Sequence, residues 1–351
     1  MPEADPQRHS EVLAVALRRL AGGADLSTQE AEAIGHELAG GRFTPVQFGA
    51  LAAGLRVKGE TPAELHGLVR AYREHQTPVP LSVDATVIDV CGTGGDGTSA
   101  DVFNVSTCTA FVVAGAGVAV AKHGTSAVSS PSGSSDVLGV LGVDLELDAQ
   151  GADSLLREAG ICYMHGPRFS PAMRHVIALR RELGFRSLFN LVGPLTNPAR
   201  VRHQLCGIYD RRYGKLVAEA MGLGGASRAW VLGTEDGFDE VSLWSTTHVA
   251  QWAAGKLSTF TLTAADFGLP AASPAAVSGG SPEENAATIE GILGGEIRGA
   301  RRDIVLANAA AALAAAGAHT DLREATAVAA ESIDSGAAGA CLDRLRSWSR
   351  A

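Results

Sequence analysis

The sequence predicts an α/β protein with a small helical unit ahead of it, and two textures along the chain say so. The first 77 residues carry helix signals only. From "TPVPLSVDATVIDV" onward, short β-branched runs alternate with Ala- and Leu-rich helical runs, the pattern of a sheet layered with helices. A chain of 351 residues suffices for one large domain or two ordinary ones. With 46% apolar and 5% aromatic residues, its core has to be built mostly from Ala, Val and Leu.

The helical unit is marked by start signals that agree with one another. Ser27 to Glu30, Thr44 to Gln47 and Thr61 to Glu64 each fit a capping box, and two of the three place Pro at the first helical position. "EVLAVALRRLAGG" and "VQFGALAAGLRVKG" carry apolar residues at helical spacing and stop at glycines. In the second region "TVIDV", "GVAVA", "HQLCGIY" and "AWVLG" read as strands. "SPAMRHVIALRREL" (170–183) reads as a helix that returns to the first bundle. Ser281 to Glu284 forms a further capping box, and "IVLANAAAALAAAG" is apolar all round, as a buried helix is.

Charge and cysteine usage exclude several classes. A net charge of −9 and a pI near 5.6 argue against nucleic-acid and anionic-membrane partners. The most apolar stretch, 307–318, is too short and Ala-rich for a bilayer, and the polar start "MPEADPQRHS" shows no signal-peptide apolar segment. Five cysteines at scattered spacings read as reduced thiols, which places the expected location in the cytoplasm.

The candidate chemistry begins at "VIDVCGTGGDGTSADVFNVST" (87–107), a strand, a glycine loop and a helix start. Gly92, Gly94 and Gly97 satisfy the dinucleotide fingerprint, but the next strand runs into Lys122-His123 where an acid is wanted. A plain glycine turn is the bland alternative. Against it, Asn104, Ser106 and Thr107 set hydroxyls and amides at a helix N-terminus, where the dipole favours anions. The loop holds no cation, so Lys122, at the end of the neighbouring strand, is expected to face it. Asp239-Glu240, adjacent acids on a glycine-containing turn, suit Mg²⁺ held between carboxylates and phosphates; alone, such a pair is more often a solvated turn.

Together these segments resemble the anthranilate phosphoribosyltransferase family over nearly the whole chain. The resemblance rests on "GTGGD" (92–96), "NVST" (104–107), "KHG…SS…GSSD" (122–136), "SPAMRHVIALRRELGFRSLFNLVGPLTNPA" (170–199), "DGFDEVSL" (236–243) and "EENAATIEGILGGE" (283–296). It implies a nucleoside phosphorylase-like fold. A helical dimerisation domain is made of 1–77 with helices near 171–195, and a catalytic α/β domain with a mostly parallel sheet is made of 78–170 and 196–351. It further implies a homodimer that transfers ribose 5-phosphate from phosphoribosyl pyrophosphate to the amine of anthranilate, a step of tryptophan synthesis, with Mg²⁺.

By position, the resemblance puts Gly92, Gly95 and Asp96 beside the phosphoribosyl pyrophosphate. It sets Asn104, Ser106 and Thr107 on its phosphates, and Lys122, Ser130 and Ser134 among its further contacts. Asp239, Glu240 and Ser106 are then the Mg²⁺ ligands. Thr125 lies on the acceptor side, and Arg180 matches the arginine facing the acceptor carboxylate, a task a planar fork suits. Lys122 and Arg180 are the side chains expected to act most directly in catalysis. Three departures fall mainly on the acceptor side. "KHGNR" is here Lys122-His123-Gly124-Thr125-Ser126, and "HPAM" is Ser170-Pro171-Ala172-Met173. The loop between Asp96 and Asn104 is two residues longer than the family's, with Val102 where a Thr is expected. A different aromatic or heterocyclic acceptor, or a non-catalytic binding protein, are the alternative expectations.

Overall fold

The structure is a computed structural model that describes residues 9–94, 102–127 and 132–348. In chain order the helices and strands are α1 (Glu11–Ala21), α2 (Thr28–Ala39), α3 (Pro45–Lys58), α4 (Pro62–Glu74), β1 (Val87–Gly92), α5 (Val105–Gly115), β2 (Ala119–Gly124), α6 (Ser134–Val140), α7 (Ala149–Ala159), β3 (Ile161–His165), α8 (Gly166–Phe169), α9 (Arg174–Glu182), α10 (Phe189–Leu195), β4 (His203–Gly207), α11 (Gly214–Leu223), β5 (Arg228–Thr234), β6 (Thr247–Ala253), β7 (Lys256–Leu262), α12 (Pro282–Leu293), α13 (Ala300–Ala316), α14 (Leu322–Asp334) and α15 (Ala337–Trp348).

All four capping boxes read from the sequence form. Ser27, Thr44, Thr61 and Ser281 each cap the third helical amide while Glu30, Gln47, Glu64 and Glu284 reach back. Gln47 does more: its Oε1 also accepts the Ser10 amide at 3.1 Å, tying α1 to α3. The segment 170–183 is a 3₁₀ turn, Pro171–Met173, that runs into α9, which packs on α2 and α3.

The sheet has seven strands in the order β3-β2-β1-β4-β5-β6-β7. The first five are parallel, and β6 and β7 are added antiparallel. The fold class is the one expected, a helical domain beside a mostly parallel α/β domain. Alternation along the central strands divides the core in two. Val90, Leu205, Trp230 and Leu232 point to one face and pack with α5, α7 and the C-terminal helices. Cys91, Cys206, Ala229 and Val231 point to the other, where α11 joins them to the bundle of α1–α4, α9 and α10. The helical domain is thus seated on one sheet face. All five cysteines are free and buried within these cores.

Strand order reverses between β1 and β4, so the crevice at their carboxyl ends is the topological switch point where open α/β sheets bind ligands. No described helix is long and apolar enough to cross a membrane.

Candidate active site

Two glycines end the strands that flank the crevice, and the structure gives each a steric reason. A Cβ on Gly207, at the end of β4, would lie 1.5 Å from the Asp239 carbonyl oxygen. A Cβ on Gly92, at the end of β1, would lie 2.5 Å from Asp239 Oδ2. The acidic turn after β5 therefore lies directly across the ends of β1 and β4, and no larger residue fits beneath it.

That turn is held in place. Thr234 Oγ1 accepts the Phe238 amide at 2.8 Å, and Gly237 takes φ +80°. Asn308, the polar residue inside buried α13, accepts the Val241 amide at 2.8 Å and donates to the Val241 carbonyl at 3.2 Å. Glu240 accepts the Ser106 amide in the first turn of α5. Burial and then the neighbouring Asp239 charge push the Glu240 carboxyl up to about 8, while Lys122 opposes them. Two adjacent acids on one turn, with Glu240 at the N-terminus of α5, are oxygen donors of the kind a hard divalent cation takes.

Lys122 is placed differently from the expectation. It sits within β2 beside Val90 of β1, 3% exposed, and its ammonium donates to the Val90 carbonyl and to Ser106 Oγ at 3.3 Å. It is buried at the carboxyl-end edge, against the first turn of α5. Burial lowers its pKa, opposed by Asp89, Cys91 and Glu240. Asp89, fully buried, receives Asn197 Nδ2 at 2.8 Å and the His123 amide at 3.3 Å. Burial still raises its carboxyl to about 6.

Asn104 caps α5 by position, but its side chain makes no cap bond. Instead Nδ2 donates to the Ser132 carbonyl at 3.1 Å, and Oδ1 accepts Asn285 Nδ2 at 3.0 Å. Thr107 Oγ1 donates to Ser134 Oγ at 3.3 Å, bringing the starts of α5 and α6 together. The turn before α6 is fastened by Asp136, which accepts the Ala127 and Gly133 amides at 2.8 and 2.9 Å. Thr125 contributes its carbonyl to Ser135 N at 3.3 Å. Gly95, Asp96 and Ser130 lie outside the described residues.

A cation at the start of the glycine loop is one that sequence reading missed. Arg186, between α9 and α10, donates Nη1 to the Thr93 and Gly94 carbonyls at 3.2 and 2.8 Å, and its guanidinium lies 4.8 Å from the centre of the Tyr209 ring. Nothing local in "GFRS" marks it; only the packing of α9–α10 over the end of β1 brings it there.

Arg180 stands on the same wall. Its charge interacts with Tyr72, Arg186 and Tyr209, and burial lowers its pKa. Its Nε and the Tyr72 and Tyr209 hydroxyls are buried with no hydrogen-bond partner. Ser170, where the family has His, is 6% exposed, and its hydroxyl accepts Gln76 Nε2 at 2.5 Å. Its space is already filled.

Known proteins share both domains. Residues 14–76 match the helical bundle domain of a glycosyl transferase family, and residues 84–339 match the a/b domain of a glycosyl transferase family. The chain is 46% identical over 330 residues to the anthranilate phosphoribosyltransferase of Anaeromyxobacter dehalogenans, covering 94% of this chain and 96% of the relative. The crystal structure of anthranilate phosphoribosyltransferase from Thermus thermophilus superposes with a TM-score of 0.89 at 38% identity, covering 96% of this chain and 99% of the other. The Saccharomyces cerevisiae enzyme in complex with PRPP and Mg superposes at 0.87 with 27% identity, covering 97% and 99%. Two domain matches and near-complete coverage settle the family: the chain belongs to the anthranilate phosphoribosyltransferases and is a phosphoribosyltransferase enzyme.

Proposed function

We propose that the enzyme transfers the 5-phosphoribosyl group of phosphoribosyl pyrophosphate to the amine of anthranilate, releasing pyrophosphate, with Mg²⁺ bound at Asp239, Glu240 and Ser106. The observation that carries the reading is the acidic turn laid across Gly92 and Gly207 at the amide end of α5. The yeast relative in complex with PRPP and Mg supports the donor and the metal.

In this reading the first amides of α5, with Thr107, Ser134 and the glycine loop from Gly92, take the donor phosphates. A helix N-terminus supplies fixed positive potential there. Bound Mg²⁺ would offset charge on the departing pyrophosphate. Lys122 acts from below the edge by orienting Ser106 and balancing Glu240, rather than by touching phosphate. On the helical wall, Arg180 pairs the acceptor carboxylate and so aims the amine at the ribose C1. The amine lone pair forms the C–N bond as the C1–O bond to pyrophosphate breaks, and the amine then loses a proton. Positioning and electrostatics do most of this, with no side-chain nucleophile.

A second reading, in which the acceptor is another aromatic acid, is favoured by Thr125 where the family has Asn. A branched hydroxyl replaces an amide that both donates and accepts. One assay separates them: pyrophosphate release with phosphoribosyl pyrophosphate and a panel of aromatic amines and acids, with Mg²⁺ or EDTA. The first reading expects anthranilate to be used and EDTA to stop it. Preference for another acid, with Thr125→Asn shifting it toward anthranilate, supports the second. Activity undiminished in EDTA overturns the metal assignment.

The same reading makes the enzyme a cytoplasmic homodimer. Val12 and Val15 on α1 and Val46 and Val57 on α3 are exposed, Val57 by 88%, an apolar face that a second copy would cover. Light scattering should give a dimer mass.

A further inference from the structure

A second charged site lies on the opposite side of the sheet from the crevice, at the amino-terminal ends of β4 and β5. A cavity of about 280 Å³ opens there between the domains. Its helical-domain wall is Val69 and Arg73 of α4, and its α/β wall includes Arg200, Arg202 and Met221. A contiguous hollow of about 330 Å³ shares Arg73 and Arg200 and adds His66, Arg70 and Glu74.

The charges in this seam are not balanced by the chain. Glu74, the one carboxylate lining either hollow, faces His36 Nε2 at 3.6 Å, and Arg70 is paired with Glu32 at 3.1 Å. Arg73 donates Nη2 to the Leu195 carbonyl at 2.9 Å and Nη1 to the Gly224 carbonyl at 3.5 Å, but its Nε is buried with no partner. Burial, then the like charge of Arg200, pushes its pKa down to about 10. His66 Nδ1 is also buried without a partner, facing Arg70 and Arg73. The Arg200 backbone holds φ +50°, a left-handed conformation that arginine rarely adopts, and its guanidinium has no hydrogen bond or ion pair among the described residues. Among the described residues, the Arg202 side chain donates only to the Gly225 carbonyl, at 3.4 Å.

We propose that this seam binds a small organic anion, a carboxylate or phosphate monoester with an apolar body, gripped by Arg73 from one domain and Arg200 and Arg202 from the other. Guanidinium forks suit both head groups. Val69, Leu195 and Met221 offer the apolar body a dry wall. Because the cations come from two domains, the anion fastens one to the other at a distance from the chemistry. The catalytic edge lies at the opposite ends of the same strands.

Calorimetry with phenyl phosphate tests this, using inorganic phosphate as the probe lacking an apolar body. Both titrations are made with pyrophosphate and Mg²⁺ saturating the catalytic edge. The expected result is one phenyl phosphate site, weakened at least about tenfold in Arg200→Gly/Arg202→Ser, with inorganic phosphate binding more weakly than the monoester. Arg200→Gly suits a left-handed backbone, so this variant should fold and turn over substrate like wild type without the probe. Loss of binding is thereby separated from failure of the proposed reaction. Wild type that binds no phenyl phosphate at about 10 mM, or a double variant that binds it as tightly, overturns the proposal.

Discussion

The two walls of the crevice differ in how their buried polar groups are satisfied. Along the sheet edge Lys122, Asp89, Asn197, Asn104 and Thr107 all hold partners inside the protein. His123 Nε2 and the Tyr209 hydroxyl, just past β4, are exceptions there. On the helical wall the Tyr72 hydroxyl, Arg180 Nε and Ser187 Oγ are buried with none. An unsatisfied buried group costs about 1–3 kcal/mol, so such groups gathered on one wall make sense where a ligand completes them. On the proposed function, one wall is finished by folding and the other awaits substrate.

The largest effect is expected from breaking the finished wall at its acids. Asp239→Ala with Glu240→Ala should lower turnover at least about a hundredfold at saturating Mg²⁺. Pyrophosphate release measures it, and near-wild-type turnover would remove the acids from the mechanism.

Next come the buried charges beneath that wall. Lys122→Met removes the cation whose charge favours the ionised form of buried Asp89, so the variant should be less stable at neutral pH. The sign follows from Asp89, whose folded pKa of about 6 already exceeds its ordinary 3.8. An acid held that way contributes stability at low pH and loses it as pH rises through the folded value. Without Lys122 that value climbs further, so the variant's deficit should be large at pH 8 and shrink toward pH 5 in urea titrations. The same variant should raise the KM for phosphoribosyl pyrophosphate more than that for the acceptor. A deficit independent of pH would show that Asp89 and Lys122 do not act as a pair.

How much of this was legible in the sequence follows from whether a signal is local. The capping boxes are local, and all four formed. Strands rich in Val and Ile were legible, while β3 ("ICYMH") and the antiparallel β6 and β7 were not. The first lacks β-branched residues beyond Ile161, and β7 alternates on a largely exposed edge. Asp239-Glu240 could be read as a pair, but that Gly92 and Gly207 are glycines for Asp239 is visible only once three loops converge. Lys122 was legible as a cation near the edge and not as a buried one, because its partners, the Val90 carbonyl and the Ser106 hydroxyl, lie on other elements. Arg186 and Gln76 act across the domain boundary, where neither periodicity nor spacing points.

On the unfinished wall the signs reverse, with smaller magnitudes. Tyr72→Phe removes a hydroxyl that has no partner, so stability should hold or rise by up to about 1 kcal/mol while the acceptor KM rises a few-fold. Thermal unfolding and steady-state kinetics check the two together. A loss of about 2 kcal/mol or more would mean the hydroxyl is satisfied in the folded protein and the contrast between walls is false.

Arg180→Met gives the most direct test of that contrast, with calorimetry of phosphoribosyl pyrophosphate in Mg²⁺ set beside the acceptor KM. The account predicts donor affinity within about twofold of wild type and an acceptor KM raised at least about tenfold, the loss of one charge-assisted pairing. Donor affinity that falls in step with the acceptor would mean the two walls are a single site, and would contradict it.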